Sequence, residues 1–530
     1  MVTNYNQQNY GILSENLETQ AGINDVLIKN IEACNELKNV ICRSYGPCGE
    51  SRLITGKTNK ITITSDSSTI LNSLAYVHPA SKIILSSVSF QDQELGDSSG
   101  FVVILIGELL TQSLKLLNMG FNSYEIIKTL QKFENVCSNV LNTLSNYRLK
   151  NIKNLKNLIS ILLVSVNSKC QKLEKHLIPQ IAYACVKIVS AKNQKFSQEN
   201  IRVVKILGGV CSNSKTISGT IILRDSEGLV KIIKRAKIAI FTCSFDILSP
   251  ETKNNIVFKD PRETLSFESK EKNFMEERVN SFLSSGINVV VASGFSDDAI
   301  DSLNSKEILA LKVQSKFEIQ RIANVTNSTV LPKLRTPTHQ EIGYSDQVSV
   351  RSFGSQKVTI FYQESLQNKI FTIVARANCN SILDLIERVV YKTSSIFKSI
   401  SRNNRFIPGA GACEIELSRR LKSFAHNINL LNEKFIFRKF ANCFEIFPEI
   451  LIQNAHLKES AIISRLINRH KEGLETEGVD LENGSTICTR KSGIWDLFSS
   501  KFWAVKNSID SALTVLSVDQ VIVARENFKN

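Results

Sequence analysis

The chain has 530 residues, of which 42% are hydrophobic and 22% charged, and it carries a formal net charge of +15. Such a length exceeds what one core holds and predicts two to four domains of ordinary globular composition. The longest apolar run, Phe101 to Gly107, falls short of the ~20 residues that a bilayer crossing needs, and the polar start MVTNYNQQNY lacks the pattern of a secretory signal.

The apolar positions Val26, Leu27, Ile31, Leu37 and Ile41 recur at helical spacing and predict a helix from about Asn24 to Ser44. Gly46-Pro47-Cys48-Gly49 then breaks it. Ile61 to Thr64 reads as a short strand, Ser67 to Tyr76 as a helix stopped by His78-Pro79, and Ala80 to Phe90 as the next helix. A buried segment runs from Gly100 through Leu117, followed by a helix over Tyr124 to Leu144 and helical texture from Leu155 to Val189. Past Ile201, β-type runs at 203–206, 219–223, 238–241 and 288–291 alternate with helices such as Glu271 to Ser284, which predicts an α/β domain of about 150 residues. Val358 to Phe361 and Ile370 to Val374 are expected to close that domain as a strand pair. From Ile382 helices return and are expected to continue to Val523. The first and last thirds share a texture, so one domain built from both ends, with the middle inserted, is the expected organisation.

The 12 cysteines are scattered, with no CxxC pair, and the six histidines stand apart from one another. This favours reduced, mostly buried thiols in a cytosolic protein over a disulfide framework or a zinc site. The positive charge invites a nucleic-acid reading. Lys and Arg are spread along the chain, however, and no RGG segment, zinc finger or RNP-like motif is present, so solvated charge is the favoured reading.

Four small-residue turns border helices: Gly46-Pro47-Cys48-Gly49, the 64–69 segment TSDSST, Gly96-Asp97-Ser98-Ser99-Gly100 and Gly409-Ala410-Gly411. Glycine allows backbone to approach a phosphate closely, and a helix start offers it unpaired N–H groups. An aspartate beside such a turn caps the helix or holds Mg²⁺ against the phosphate, and for Asp97 both readings stand. Each turn alone is weak, and no GxxxxGK[ST] is present.

Taken in order, these segments resemble those of the group II chaperonins of the eukaryotic cytosolic kind (CCT/TRiC) over nearly the whole chain. RSYGPCGESRLI resembles the family's GPxG phosphate loop, ITSDSSTILNSL its TNDGATIL segment, and HPASKII its HPAAK segment. QDQELGDSSGFVVILIGELL resembles its GDGT segment, IPGAGACEIELSRRL its PGGGAxE segment, and SALTVLSVDQVIVAR its C-terminal R-x-D-D-x-I stretch. The segments NIRVVKILGG, SFDILSPETK, LPKLRTPTHQEIG and GIWDLFSSKFWAVKNSIDSALTVLSVDQVI narrow the resemblance to one of the family's paralogous types.

The resemblance implies a multidomain α+β chaperonin fold. Residues 1–147 and 405–530 would form a mainly helical equatorial ATP-binding domain, 148–214 and 374–404 a small intermediate domain, and 215–373 an inserted α/β apical domain with a helical protrusion near 251–275. It also implies a double ring with seven paralogous subunits, ATP and Mg²⁺ as ligands, and unfolded clients including actin and tubulin. The location would be cytoplasmic, with no membrane partner, and nucleic acid is disfavoured. By position, Gly46, Pro47 and Gly49 would wrap the phosphates. Asp97 would ligate Mg²⁺, with Ser98, Ser99 and Gly100 at the phosphate-binding helix start. Asp66 would position metal or water, Gly409 and Gly411 would admit ribose and base, Asp496 would accept a ribose hydroxyl, and Lys169 would sense phosphate.

The chain departs from the family at four positions. Ser98 stands for a glycine of GDGT, and Ser67 for the glycine of TNDGATIL. In the family's ERxxxD pattern the aspartate orients the hydrolytic water, whereas here Glu387-Arg388 is followed by Lys392 at that position. A lysine is cationic at neutral pH and cannot take a proton from water, so weakened hydrolysis is expected unless Asp384 or Glu387 substitutes. Ala377 also replaces a family glycine, which would stiffen a hinge. The rival readings are a non-catalytic structural ring member and, last, a nucleic-acid-binding protein.

Overall fold

The computed structural model describes residues 17–20, 23–55, 61–74, 78–145, 147–149, 152, 154–167, 174–190, 196–246, 261–354, 356–364 and 370–524. The chain divides into two compact units, the first from residues 1–150, 160–171 and 399–530, the second from 151–159 and 172–398.

The first unit begins with strand β1 (Leu17–Gln20), helix α1 (Ile23–Cys42) and the hairpin β2 (Arg52–Thr55) and β3 (Ile61–Thr64). Helices α2 (Ser67–Ser73), α3 (Pro79–Leu95), α4 (Ser99–Asn118) and α5 (Ser123–Leu144) follow. In α5 the apolar residues Ile126, Leu130, Phe133, Cys137, Leu141 and Leu144 are buried along one face, and Asn122 caps the start by accepting from the Tyr124 N–H at 3.2 Å. Helix α4 is different. At 20 residues it is long and apolar enough to cross a bilayer, although the apolar run Phe101 to Gly107 is too short by itself. It is buried nearly all round among the helices of this unit, and its Glu108 pairs with Lys38 of α1 at 2.8 Å, so it is a core helix.

Helices α6 (Leu155–Asn167) and α7 (Glu174–Ser190) precede the second unit's sheet. Its strands are β4 (Ile201–Leu207), β5 (Lys215–Ile222), β6 (Ile232–Phe241), β7 (Val289–Ala292), β8 (Leu309–Lys312), β9 (Val330–Leu331), β10 (Gly343–Phe353), β11 (Gln356–Tyr362) and β12 (Phe371–Ala377). Helices α8 (Pro261–Ser284), α9 (Asp297–Ser305) and α10 (Lys316–Thr326) connect them. The sheet order is β4-β12-β5-β11-β10-β6-β7-β8, with β9 beside β6. Strand period sorts the core: Val289, Val291, Leu309 and Leu311 pack with Ile319 and Ile322 of α10, whereas Val290, Ala292 and Ala310 pack with Met275, Val279 and Phe282 of α8. Both faces are covered, which is why these strands read as continuous apolar runs. The expected pairing of Val358–Phe361 with Ile370–Val374 is overturned. β5 lies between β11 and β12 and pairs antiparallel with both, its first half Lys215–Ser218 with β12 and its second half Gly219–Ile222 with β11, so its backbone groups find partners along the whole strand.

Helix α11 (Asn380–Arg402) carries the chain back to the first unit. There β13 (Phe406–Pro408), α12 (Ala412–His426), α13 (Leu431–Asn442), α14 (Ile446–Asn454) and α15 (Glu459–Lys471) precede the hairpin β14 (Glu477–Asp480) and β15 (Ser485–Cys488). A short α16 (Thr489–Ser492), β16 (Trp495–Leu497), α17 (Phe498–Leu516) and β17 (Val521–Ala524) complete it. The expected run of helices to Val523 is thus broken by five strands, β14 pairing with β15, β16 with β13 and β17 with β1. The core joins α1, α3, α4, α5, α12, α13 and α17, with Phe133 edge-on to Phe437 at 4.9 Å and Phe101 stacked on Phe447 at 4.1 Å. All eleven cysteines among the described residues are free, as their scattered spacing predicts, but only five of them are buried, fewer than expected.

Candidate functional site

The Gly46 turn follows the end of α1. Gly46 has φ +85°, and its carbonyl accepts from the Gly49 N–H at 3.2 Å. A side-chain carbon on Gly49 would lie 2.5 Å from the carbonyl of Ser44, so that position requires glycine. From outside, the Asn454 side-chain amide donates to the carbonyls of Cys42 and Tyr45, both at 2.8 Å, and fixes the turn against α14.

Asp66 is the N-cap of α2. Its Oδ2 accepts from the Thr69 N–H at 3.2 Å and from the hydroxyls of Ser68 at 2.7 Å and Thr69 at 2.8 Å. Asp97 does not cap α4. Helix α3 ends on Gly96 in the left-handed region, and the N-cap of α4 is Ser98, also left-handed at φ 64° and with no side-chain capping bond. The family glycine that Ser98 replaces therefore has a conformational reason. Gln91, fully buried, holds this loop: its amide donates to the carbonyls of Asp97 and Ser500, each at 3.0 Å, and accepts from Asn507 at 3.1 Å.

The third turn leaves β13. Gly409 donates its N–H to Ile494 at 3.2 Å, Ala410 sits at φ 55°, and Gly411, at φ 80°, is the N-cap of α12. The Ala410 carbonyl accepts from Val479 of β14 at 2.9 Å. Asp496 lies across the β13–β16 ladder from Ile407, and a side-chain carbon on Gly409 would come within 3.2 Å of its Oδ1. The buried Lys501 ammonium binds the Glu414 carboxylate at the start of α12, stands 3.5 Å from Asp496 Oδ2, and sits 4.3 Å from the centre of the Phe101 ring in the first turn of α4. Burial opposes its charge, but Glu414, Tyr45 and Asp496 hold it protonated well above the ordinary lysine range. Burial, with Glu414 and Asp97 nearby, pushes the Asp496 carboxyl up to about 6 against the pull of Lys501.

These contacts join the turns into one region of the first unit. The space beside Gly100 is bounded by Ser67 Oγ at 2.7 Å and the Tyr45 ring at 3.3 Å from an added side-chain carbon. Tyr45, next to Gly46, thus borders the start of α4, and the Gly409–Gly411 turn meets the pair Phe101–Lys501 through Asp496 and Glu414. Lys169 lies outside the described residues. Lys392 belongs to α11 in the second unit, about two turns beyond Asp384 and between one and two beyond Glu387, and Lys205 binds both of those carboxylates, at 2.9 and 2.8 Å. Sequence reasoning missed Gln91, Glu414, Asn454 and Lys501. The last two act across hundreds of residues or 87 residues of chain, a separation no local pattern reveals.

The donor set suits a nucleotide. Bare glycine faces and an unpaired helix start suit phosphate and ribose, while Asp97 offers a carboxylate at the mouth of that helix. Among the described residues no group of three or more His, Cys, Asp or Glu side chains forms a metal cage. A lone carboxylate fits Mg²⁺, which takes phosphate and water as its other ligands.

Residues 37–526 match the TCP-1/cpn60 chaperonin family. The chain belongs to that chaperonin family. This chaperonin is 34% identical over 517 residues to the human protein named T-complex protein 1 subunit theta, covering 97% of this chain and 94% of the relative. It is 33% identical to the theta subunit of Dictyostelium discoideum, covering 97% and 96%, and 33% identical to that of Arabidopsis thaliana, covering 98% and 95%. The chaperonin reading of the sequence motifs is borne out, and theta is the paralogous type that the four narrower segments single out.

Proposed function

We propose that this chaperonin subunit binds ATP in the first unit and hydrolyses it weakly, within a cytoplasmic double ring shared with seven paralogous subunits. The ring would fold unfolded clients, including actin and tubulin, by ATP-driven closure of its chamber. Residues 1–147 and 405–530 are the equatorial domain, 148–214 and 374–404 the intermediate domain, and 215–373 the apical domain, with a protrusion near 251–275 of which 251–260 lie outside the described residues.

The observation that carries ATP binding is the joining of the Gly46 turn, the Gly409–Gly411 turn and the α4 start through Tyr45, Asp496 and Lys501. The Gly46 turn and the N–H groups of Ser99 and Gly100 receive phosphates, Gly409 and Gly411 leave room for ribose and base, and Asp496 Oδ1 accepts a ribose hydroxyl. Asp97 would hold Mg²⁺, which would supply charge neutralisation for the phosphates. Asp66, already committed to capping α2, keeps that helix start in register beside Gly100.

Weak hydrolysis is supported by Lys392 together with Lys205. Asp384 and Glu387, the two carboxylates nearest in sequence, are each bound to the Lys205 ammonium and so already engaged. Equilibrium ATP binding and single-turnover hydrolysis on the full-length chain, wild type beside Lys392→Asp, test this reading. Tight binding with slow turnover in wild type, and a rate higher by roughly 10²–10⁴-fold in Lys392→Asp, is the expected outcome. Ordinary turnover in wild type would end the weak-hydrolysis reading. No binding in either would point to a structural ring member, the alternative that Ser98 and Lys392 also favour.

A further inference from the structure

The region between Asp496 and α4 contains a charged group that the nucleotide reading does not use. Lys501 lies in the first turn of α17, and its side chain is only 8% exposed. Taking an ammonium out of water costs several kcal/mol unless it is paired, and a buried pair is often no more stable than apolar side chains of the same size. Stability alone therefore gives little reason for a lysine here. The pairing is also not optimised for stability, because Glu414 Oε2 is buried without a hydrogen-bond partner.

The geometry around Asp496 supplies another reason. Its two oxygens face different ways: Oδ2 is 3.5 Å from Lys501 Nζ, and Oδ1 lies against the bare face of Gly409. A carboxylate on a short side chain can rotate about its terminal bond, and the torsion is broad. The ammonium, held by Glu414 from one side and by the Phe101 ring beneath, attracts one oxygen and so selects the rotation that leaves the other toward Gly409. Phe101 and Glu414 belong to the first turns of α4 and α12, so the same ammonium registers the phosphate-side helix start against the ribose-side turn.

We propose that Lys501 is a positioning residue for ribose recognition, orienting the Asp496 carboxylate so that Oδ1 alone faces the sugar. The inference rests on the nucleotide reading of this region. It predicts that losing Lys501 erodes discrimination for the ribose hydroxyls more than affinity for the triphosphate.

The test compares the full-length chain in wild type, Lys501→Met, and the double variant Lys501→Met with Glu414→Gln, which removes the stranded Glu414 charge if the single variant fails to fold. Dissociation constants for ATP, 2′-deoxy-ATP and 3′-deoxy-ATP are measured for each. Wild type should prefer ATP over at least one deoxy analogue by roughly tenfold or more, as expected when a hydrogen-bonding site loses its hydroxyl. The Lys501 variants should bring that ratio to within about threefold, with affinity for the same deoxy analogue little changed. A folded variant that keeps the wild-type ratio, or loses affinity equally for all three nucleotides, would overturn the inference while the nucleotide reading stands. Wild type that binds no ATP would overturn both.

Discussion

Ser98 and Asp496 show how single residues set the behaviour of the site. Ser98 holds φ 64° at the start of α4, a conformation that costs an L-residue roughly 1–2 kcal/mol and glycine almost nothing, though glycine loses more freedom on folding. Ser98→Gly should therefore raise stability by about 1 kcal/mol at most, read as a higher urea midpoint, and should not weaken ATP binding. A fall in either would mean that the Ser98 side chain makes a contribution beyond its backbone. Asp496 predicts a pH dependence. Its folded value of about 6 lies above the ordinary 3.8, so the ionised form is disfavoured in the fold. The protein bears that cost at neutral pH and is relieved of it as pH falls through 6. ATP affinity should run the opposite way, steady above pH 7 and weakening below about 6 as the acceptor is protonated, with Asp496→Asn flattening the profile. A profile in wild type identical to that of Asp496→Asn would remove Asp496 from the ribose.

Helices α12 and α15 are tied by a buried ionic network that bears directly on the Gly409 turn. Glu416, fully buried, accepts from His470 at 3.1 Å, from Arg419 at 2.9 Å and from Arg420 at 2.6 Å, while the other His470 nitrogen faces the Glu477 carbonyl at 2.8 Å. Burial alone would raise the Glu416 carboxyl, but bonds from His470, Arg419 and Arg420 prevail and hold it at about 2. Because that value is below the ordinary 4.5, the stabilisation is complete above pH 4.5 and is lost as pH falls toward 2. Removing one partner of such a set strands the others, so Glu416→Ala should cost about 3–5 kcal/mol, measured by urea unfolding at pH 7. Equal stability of wild type and variant would show the network to be energetically idle. The pairs of Glu416 with Arg419 and Arg420 are local, at i,i+3 and i,i+4 spacing on α12, but His470 and Glu477 come from other elements and join them only on folding. The elements themselves were legible. Period gives α1, α4 and α5 to within a few residues, because each buries a continuous face or its whole surface. Strand order was not legible, because β5 takes partners from β11 and β12, far along the chain. The long β10 was missed, since its polar alternation, SDQVSVRSF, carries few apolar residues.

Across the whole molecule, motif order was the readable signal, and the residues that hold the motifs together were not. Every glycine turn of the candidate site is visible as a small-residue interruption, whereas Asn454 reaches the Gly46 turn from α14, and Gln91, itself close to Asp97 in the chain, ties that loop to Ser500. That arrangement bears on how the protein is made. Helix α4 is buried against α12, α13 and α17, yet α12 starts at Ala412, roughly 300 residues after α4 ends at Asn118. At about 5–20 residues per second of synthesis, α4 leaves the ribosome some tens of seconds before the helices that cover it exist. During that interval a 20-residue helix apolar enough to enter a bilayer has only part of its burial. A nascent chain of this design needs shelter while the inserted second unit is translated, so this subunit would be a client of holding chaperones before it becomes one itself.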